Sequence, residues 1–477
     1  MKPGSYKWVF KTKRDSSGAV SRRKARLAIK GFEQVYGVDY QETYAPTVHH
    51  TTLRLALALS ALLGPSVVID HWDVVGAYLW ANVDAEIYME IPLGVEDVPD
   101  GVDCVRLRKA LYGLKQAGRL WYETLDNALL DECGMVRTEC DECLFVWYGD
   151  NGEMVWILVW VDDILCITNY LPKLRSIQER LNTLFELQVL GEPSMVVGIS
   201  ITRDSNGSIL INQPRYINDI VNRFGMAECA AVSTPAVPGL KLCADDGTES
   251  LEPNVPYREA VGAVMYAAVC TRPDVAFIIN RLARYVNAPR HSHWLALKRV
   301  IAYLKGTVER GILYSSVGST EMVTYCDADF AEDVDDRMSN TGYVCMVAGG
   351  AVCWRSMRQK SVSMSTYVAE LFALCEGTKE TLLMRDLLFA LKSCNNEPNL
   401  VYGDNQAALH AVNSEGSLKG HAKPRGVRVA MMREARVNGE ALFQYVPSAE
   451  NIADCLTKAL PGPAFIAAID AMMGYNC

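Results

Sequence analysis

Hydrophobic and polar positions change period several times along the chain, and each change marks an element. Residues 7–31 alternate around Ser16-Ser17-Gly18, with Trp8, Val9 and Phe10 on one arm and Ala25, Leu27 and Ile29 on the other. That pattern predicts a hairpin. Thr51 to Leu63 has helical spacing and runs into Gly64-Pro65, a pair that stops a helix. Val67-Val68-Ile69 leads through Asp70-His71-Trp72 into Asp73-Val74-Val75 and reads as a strand, followed by a loop rich in Pro, Gly and acids over residues 92–103. Leu111 to Leu130 predicts a helix. Two apolar runs, Val155–Val159 and Ile164–Ile167, flank Trp160-Val161-Asp162-Asp163 as strands around a tight turn. Ile177, Leu181 and Leu184 form a helical stripe that Gly191-Glu192-Pro193 ends.

From Ala230 to Pro256 the chain shifts to Pro, Gly, Asp and Glu, which reads as a linker or exposed loop. Tyr257 to Val269 and His293 to Leu304 predict helices, the stripe of Trp294, Leu297, Val300, Ile301 and Leu304 being core packing and not a binding box. A strand-like run ends at Thr324-Tyr325-Cys326-Asp327-Ala328-Asp329. Gly342–Val347 and Ala351–Trp354 supply the next two strands of an antiparallel sheet. Glu370 lies in a long helical stretch reaching about Leu391, Asp404 follows the short strand Leu400-Val401-Tyr402, and Asp454 comes after an expected cap at Ser448. No internal repeat is present.

At 477 residues the chain is too long for one core and suits about three domains or subdomains. Half the residues are apolar and 22% are charged, the balance of a folded soluble protein. No run of about twenty apolar residues predicts a membrane span. Lys2-Pro3-Gly4 and a basic stretch follow Met1, without the apolar core of a signal peptide. Fifteen cysteines without a repeating frame suit a reducing compartment, and Cys140 with Cys143 is a lone CxxC, weak as a zinc motif. The net charge of −9 argues against a uniformly basic coat, but residues 1–30 hold ten Lys or Arg against Asp15 alone. Arg106, Arg108, Lys109, Lys115 and Arg119 form a second basic patch. Such patches attract phosphates; a solvated edge strand is the alternative for the first of them.

The acids carry the chemistry. Two adjacent carboxylates between apolar strands need a counter-ion, because an unpaired buried charge costs several kcal/mol or more. Asp162 and Asp163 on a hairpin turn could bind a divalent metal, or form a solvated Asp-rich turn. Asp73, ending a second strand, completes a set able to hold two Mg²⁺ ions about 4 Å apart. Tyr78, five residues on, is either the floor of a nucleotide pocket that collides with a ribose 2′-hydroxyl or a core aromatic.

These residues resemble the Pol polyprotein of copia-type retrotransposons, in its reverse transcriptase and ribonuclease H portion. The match includes Lys24-Ala25-Arg26-Leu27, Lys30-Gly31-Phe32, Asp39-Tyr40-Gln41-Glu42-Thr43-Tyr44-Ala45-Pro46, the Asp73 segment, Leu111-Tyr112-Gly113-Leu114-Lys115-Gln116-Ala117 and the Asp pair. Farther on are Tyr266, Thr271-Arg272-Pro273-Asp274 and Tyr303-Leu304-Lys305-Gly306-Thr307. Several long motifs in the right order are far more specific than any one.

The resemblance implies an α+β multidomain chain. Fingers, palm and the start of a thumb would occupy residues 1–229, linker and connection helices 230–318, and a ribonuclease H-like α/β domain 319–477. It implies RNA-directed DNA polymerisation and cleavage of the RNA strand of the hybrid, each with two Mg²⁺ (or Mn²⁺) ions. An RNA template, a DNA primer, the RNA–DNA hybrid and dNTPs would be its partners. Asp73 and Asp162 would hold both polymerase metals, with Asp163 less direct. Lys24, Arg26 and Lys30 would grip the triphosphate. Tyr78, Tyr112, Gly113 and Lys115 would line the nucleotide, Gly113 by letting backbone approach the base pair. Asp327, Glu370, Asp404 and Asp454 match the nuclease acids.

The implied setting is cytoplasmic, within virus-like particles, with nuclear entry of the complex. Departures from the family pattern are Trp160 in place of Tyr, Gly118 in place of Pro, Pro193-Ser194-Met195-Val196-Val197 without its usual aromatic, and Pro424-Arg425-Gly426-Val427-Arg428-Val429-Ala430 where histidines are usual. They leave a catalytically decayed remnant as the alternative function. The chain begins near the fingers and shows no protease, integrase or nucleocapsid segment, which suits a cut polyprotein or a fragment.

Overall fold

The alternating stretch at the start folds as a hairpin, β1 (Tyr6–Arg14) pairing antiparallel with β2 (Val20–Ile29), Trp8 opposite Leu27 and Phe10 opposite Ala25. The computed structural model describes residues 3–14, 20–96, 98–393, 396–416 and 423–475, so the expected turn Ser16-Ser17-Gly18 lies outside the described residues. The chain divides into two units, Met1–His49 with Val68–Pro193 and His50–Val67 with Ser194–Cys477. Helix α1 (His50–Leu62), predicted over Thr51–Leu63, belongs to the second unit.

In the first unit, β3 (Val68–Val74) lies inside a six-stranded antiparallel sheet. A short pair, β4 (Tyr88–Glu90) and β5 (Cys104–Arg106), and helix α2 (Ala117–Asn127) follow it. The remaining strands of the large sheet are β6 (Val136–Arg137), β7 (Leu144–Tyr148), β8 (Met154–Trp160), β9 (Asp163–Thr168) and, after α3 (Leu171–Leu184), β10 (Leu187–Gly191). Their order is β10-β3-β9-β8-β7-β6. Every residue from Met154 to Val159 and from Ile164 to Thr168 is buried, which explains continuous apolar runs where a half-exposed strand would alternate. Trp72, Trp121 and Trp156 fill the interior.

The helix predicted over Leu111–Leu130 begins only at Ala117 and ends in a π-turn at Ala128–Glu132. Its first residues are a loop because other groups hold their backbone. Ile29 N donates to Tyr112 O, Lys115 N donates to Gln34 Oε1, and Gly113 has φ +96°.

In the second unit, β11 (Met195–Val196), β12 (Ile199–Arg203) and β13 (Ile209–Asn212) precede α4 (Pro214–Arg223), α5 (Tyr257–Cys270), α6 (Ala276–Ala283) and α7 (His291–Gly306). The next strand, β14 (Ile312–Tyr314), pairs back onto β13, joining segments expected in two different domains into one sheet. Helix α1 is buried from Thr52 to Ala61. Its Arg54 is tied to Val352 O, Val269 O and Cys270 O and stacks 4.1 Å from the Trp354 ring. Those bonds are long-range, and no local pattern around Thr51–Leu63 encodes them.

The expected linker contains no helix or strand among its described residues, yet it is pinned. Ala244 N donates to Asp335, Arg290 Nε to Ala244 O, and His293 Nε2 meets Cys243 O at 3.0 Å. Two of the family motifs meet around a fully buried ion pair that lies within the first of them. Arg272 bonds Asp274 at 2.7 Å and Thr307 O at 2.9 Å, and Tyr303 OH donates to Asp274 Oδ2.

The last part carries β15 (Val323–Ala328), β16 (Asn340–Val347) and β17 (Gly350–Arg358), then α8 (Thr366–Ala390), β18 (Asn399–Gly403), α9 (Gln406–Asn413), α10 (Lys423–Val437), β19 (Ala441–Tyr445) and α11 (Gly462–Met472). Strand order is β17-β16-β15-β18-β19, antiparallel across the first three and parallel from β15 to β19. This is the ribonuclease H-like arrangement, and with the antiparallel palm sheet and its finger hairpin it makes the chain α+β.

Candidate active sites

The first site is built on the β8–β9 hairpin. Trp160 pairs with Asp163, leaving Val161-Asp162 as a two-residue turn in which Val161 has φ +58°. A β-branched residue there is strained, by about 1–3 kcal/mol, and a turn of this shape ordinarily has Gly at that position. Two clamps hold it: Trp121 Nε1 donates to Val161 O at 2.7 Å and Val74 N to Asp162 O at 3.0 Å. The turn is thus fixed from both β3 and α2, and Asp73 stands opposite Asp163 in the adjoining strand pair. Burial raises the Asp162 carboxyl pKa, the charges of Asp163 and Asp73 add to the rise, and Lys24 opposes it.

Around these acids the fold collects part of the expected nucleotide set. The Tyr78 and Tyr112 rings lie 5.3 Å apart, the Arg26 guanidinium stands 5.0 Å over Tyr112, and the half-buried Tyr78 phenol is pushed up by burial and then by Asp162. Lys30 lines a cleft of about 460 Å³ with Glu33, Asp39 and Tyr88, and Lys115 Nζ bonds Tyr40 OH at 3.0 Å. At Gly113 a Cβ would sit 2.1 Å from Ile29 O, so the close approach of the chain's own β2 strand already requires glycine there. One unexpected residue joins the acids. His71 Nε2 lies 3.0 Å from Asp163 Oδ1. Its position two residues before Asp73, on the same strand face, was a readable signal.

The second site is tighter. Parallel pairing of Tyr325 with Tyr402 sets the ends of β15 and β18 side by side, so Asp327 and Asp404 meet. Glu370 is brought in by α8. At Gly377, two turns beyond Glu370 on the same face, an added Cβ would lie 2.2 Å from Cys326 Sγ, so only glycine lets the helix press this close to β15. Ligand oxygens of Asp327, Glu370 and Asp404 all lie within 4.8 Å of one another, the one such acidic group among the described residues. The palm acids are not drawn that close.

Burial first, then the Asp454 charge, pushes Asp327 up to about 8. Burial with the charges of Asp327 and Asp404 pushes Glu370 up to about 10. Mutually repelling, buried oxygen donors in this number suit a hard divalent cation, so the residues fit Mg²⁺ or Mn²⁺. Asp454 lies in a 3-10 turn (Ile452–Leu456), its pKa raised by burial and opposed by Lys458. The expected cap at Ser448 is a correction: Asn451 caps that turn through Ala453 N, while Ser448 Oγ donates to Asp404 Oδ2 at 2.6 Å. Thr457 Oγ1 likewise donates to Asp327 Oδ2. Neither hydroxyl carries a signal in the sequence, since both bonds depend on tertiary register. Cys143 is buried, and no metal-holding group forms around it among the described residues.

Residues 1–238 match the family described as reverse transcriptase (RNA-dependent DNA polymerase). A Pol polyprotein from transposon TNT 1-94 of Nicotiana tabacum is 35% identical over 474 residues, covering 97% of this chain and 35% of that protein. One from transposon RE1 of Arabidopsis thaliana is 34% identical, covering 96% and 31%. The TyH3 Gag-Pol polyprotein of Saccharomyces cerevisiae is 25% identical, covering 96% and 26%. The chain thus spans about a third or less of the length of these curated relatives. Among solved structures, a foamy viral protease–reverse transcriptase in complex with ds DNA is similar at a TM-score of 0.47 and 10% identity, covering 92% of this chain and 66% of the other. LC11-RNase H1 is similar at 0.24 and 18%, covering 32% and 99%. Motifs, palm acids and the matches along nearly its whole length agree that the chain belongs to the family of copia-type retrotransposon Pol polyproteins, in their reverse transcriptase and ribonuclease H portion.

Proposed function

We propose that the chain copies RNA into DNA at the Asp73–Asp162–Asp163 site and cleaves the RNA strand of the resulting hybrid at the Asp327–Glu370–Asp404–Asp454 site. The reading is carried by the convergence of Asp327, Glu370 and Asp404 within 4.8 Å, in a chain whose first half matches the reverse transcriptase family. Bound Mg²⁺ or Mn²⁺ at either acid set would supply charge stabilisation at the reacting phosphate and lower the pKa of the attacking hydroxyl or water. The chain's own residues do the rest. Lys24 and Arg26 attract a triphosphate, the Tyr78–Tyr112 pair gives a nucleotide a flat wall, and the clamped turn holds Asp162 in place. In the second site Ser448 and Thr457 orient one oxygen each of Asp404 and Asp327.

Two assays on purified protein test this. Primer extension on an RNA template with Mg²⁺ is expected for the native chain and lost in Asp162→Asn, and cleavage of a labelled RNA–DNA hybrid is expected and lost in Asp327→Asn. Extension indifferent to the first change, or cleavage indifferent to the second, overturns the assignment of that site. A second reading, a retained fold that binds nucleic acid without polymerising, draws on two observations: His71 holds Asp163, and among the described residues only the nuclease acids converge. It predicts salt-sensitive binding with neither activity.

A further inference from the structure

Asp454 stands outside the three-acid cradle, and its charge is already answered. Lys458, one turn on, places Nζ 2.9 Å from Asp454 Oδ2 and feels the fields of Asp327 and Asp404 as well. An exposed pair at this spacing would be an ordinary surface contact of little energy. Here the acid side chain is only 13% exposed and borders three more carboxylates. Its second oxygen, Oδ1, is buried with no hydrogen-bond partner among the described residues, so the lysine satisfies only half of the carboxylate. The lysine is not locked in. Its side chain is 38% exposed and also lines a neighbouring cleft of about 530 Å³ with Phe330, Arg337 and Leu460, which gives the ammonium somewhere to move.

We propose that Lys458 is a tethered competitor for the cation at Asp454: without metal its ammonium takes the counter-charge position of the fourth acid, and a divalent ion drawing on Asp454 must displace it into the cleft. The proposal rests on the nuclease reading of the four acids. It makes the two metal positions unequal. The cradle of Asp327, Glu370 and Asp404 fills first, and the Asp454 position fills at higher metal concentration, when its lysine has been displaced.

Titration of the full chain with Mn²⁺ in the absence of nucleic acid, followed calorimetrically, tests it, with Asp73→Asn/Asp162→Asn in the background to silence the palm acids. The expected result is one tight and one weak event in that background. Lys458→Met tightens the weak event roughly tenfold, about 1.4 kcal/mol, and leaves the tight one within twofold; Lys458→Arg, which keeps the charge, leaves the event weak. A weak event unchanged or weakened in Lys458→Met overturns the competitor role alone. If Asp327→Asn leaves the tight event untouched, the acids do not hold the metal, and the nuclease reading falls together with the proposal. Circular dichroism of each variant against the parent separates loss of fold from loss of binding.

Discussion

The pair Asp327 and Glu370 predicts how the metal-free protein answers to pH. Their carboxyls are pushed up to about 8 and about 10 because both are buried and each lies in the field of other acids. In an unfolded chain both titrate near 4. Between those values the folded chain keeps protons that the unfolded chain releases, so stability from this pair is greatest at low pH and falls as pH rises toward the folded values. Each proton held only by the native state is worth about 1.4 kcal/mol per pH unit. With one proton held by each acid, the metal-free fold loses about 5 kcal/mol between pH 5 and pH 7. Asp327→Asn removes one of the two, and burial still raises Glu370, so the variant keeps about half the slope and gains about 3 kcal/mol on the parent over the interval. Amide hydrogen exchange in β15 and β18, corrected for its intrinsic pH dependence and run in chelator, reads the local opening free energy without mixing the two units. Millimolar Mg²⁺ should flatten the parent's slope, since the cation takes the place of the proton. A difference between parent and Asp327→Asn that stays constant from pH 5 to pH 7 would refute the account of the acids as mutually raised.

Three further outcomes follow from named contacts. Gly113→Ala forces a Cβ to within 2.1 Å of Ile29 O at φ +96°, so urea unfolding of the first unit should move to lower denaturant by several kcal/mol, well beyond the 1–2 kcal/mol of an unhindered left-handed alanine. Arg272→Met strands the buried Asp274 carboxylate and should cost about 3–5 kcal/mol, while Arg272→Met/Asp274→Leu recovers much of it; thermal unfolding of the three proteins checks the cycle. His71→Leu releases Asp163 and should cut primer extension at least several-fold with binding of primer–template unchanged, whereas His71→Gln retains part of the rate; equal rates in both would remove His71 from the site.

Much of the architecture was legible because it is written locally. The period-two arms of β1 and β2, the apolar runs around the Asp pair and the strand ends at Asp327 and Asp404 are patterns of neighbouring residues, and each formed where the pattern stood. The acids were legible for the same reason, since a carboxylate ending an apolar strand is conspicuous. Where the reading erred, another segment intervened. Leu111–Gln116 has helical composition but is held as a loop by Ile29 and Gln34, about eighty residues earlier. Ser448 looks like a cap and instead bonds an aspartate 44 positions away.

What the sequence alone determined is therefore the elements, their order and the residue types offered at each strand end. Tertiary structure alone decided that α1 packs in the second unit, that β14 closes a sheet begun about a hundred residues earlier, that Lys115 bonds Tyr40, and that His71, Thr457 and Lys458 stand against the acids. The reason is one of range. Backbone preference and amphipathic period act over a few residues. The partner of a buried charge depends on sheet register and helix approach, and those are settled only when distant segments pack.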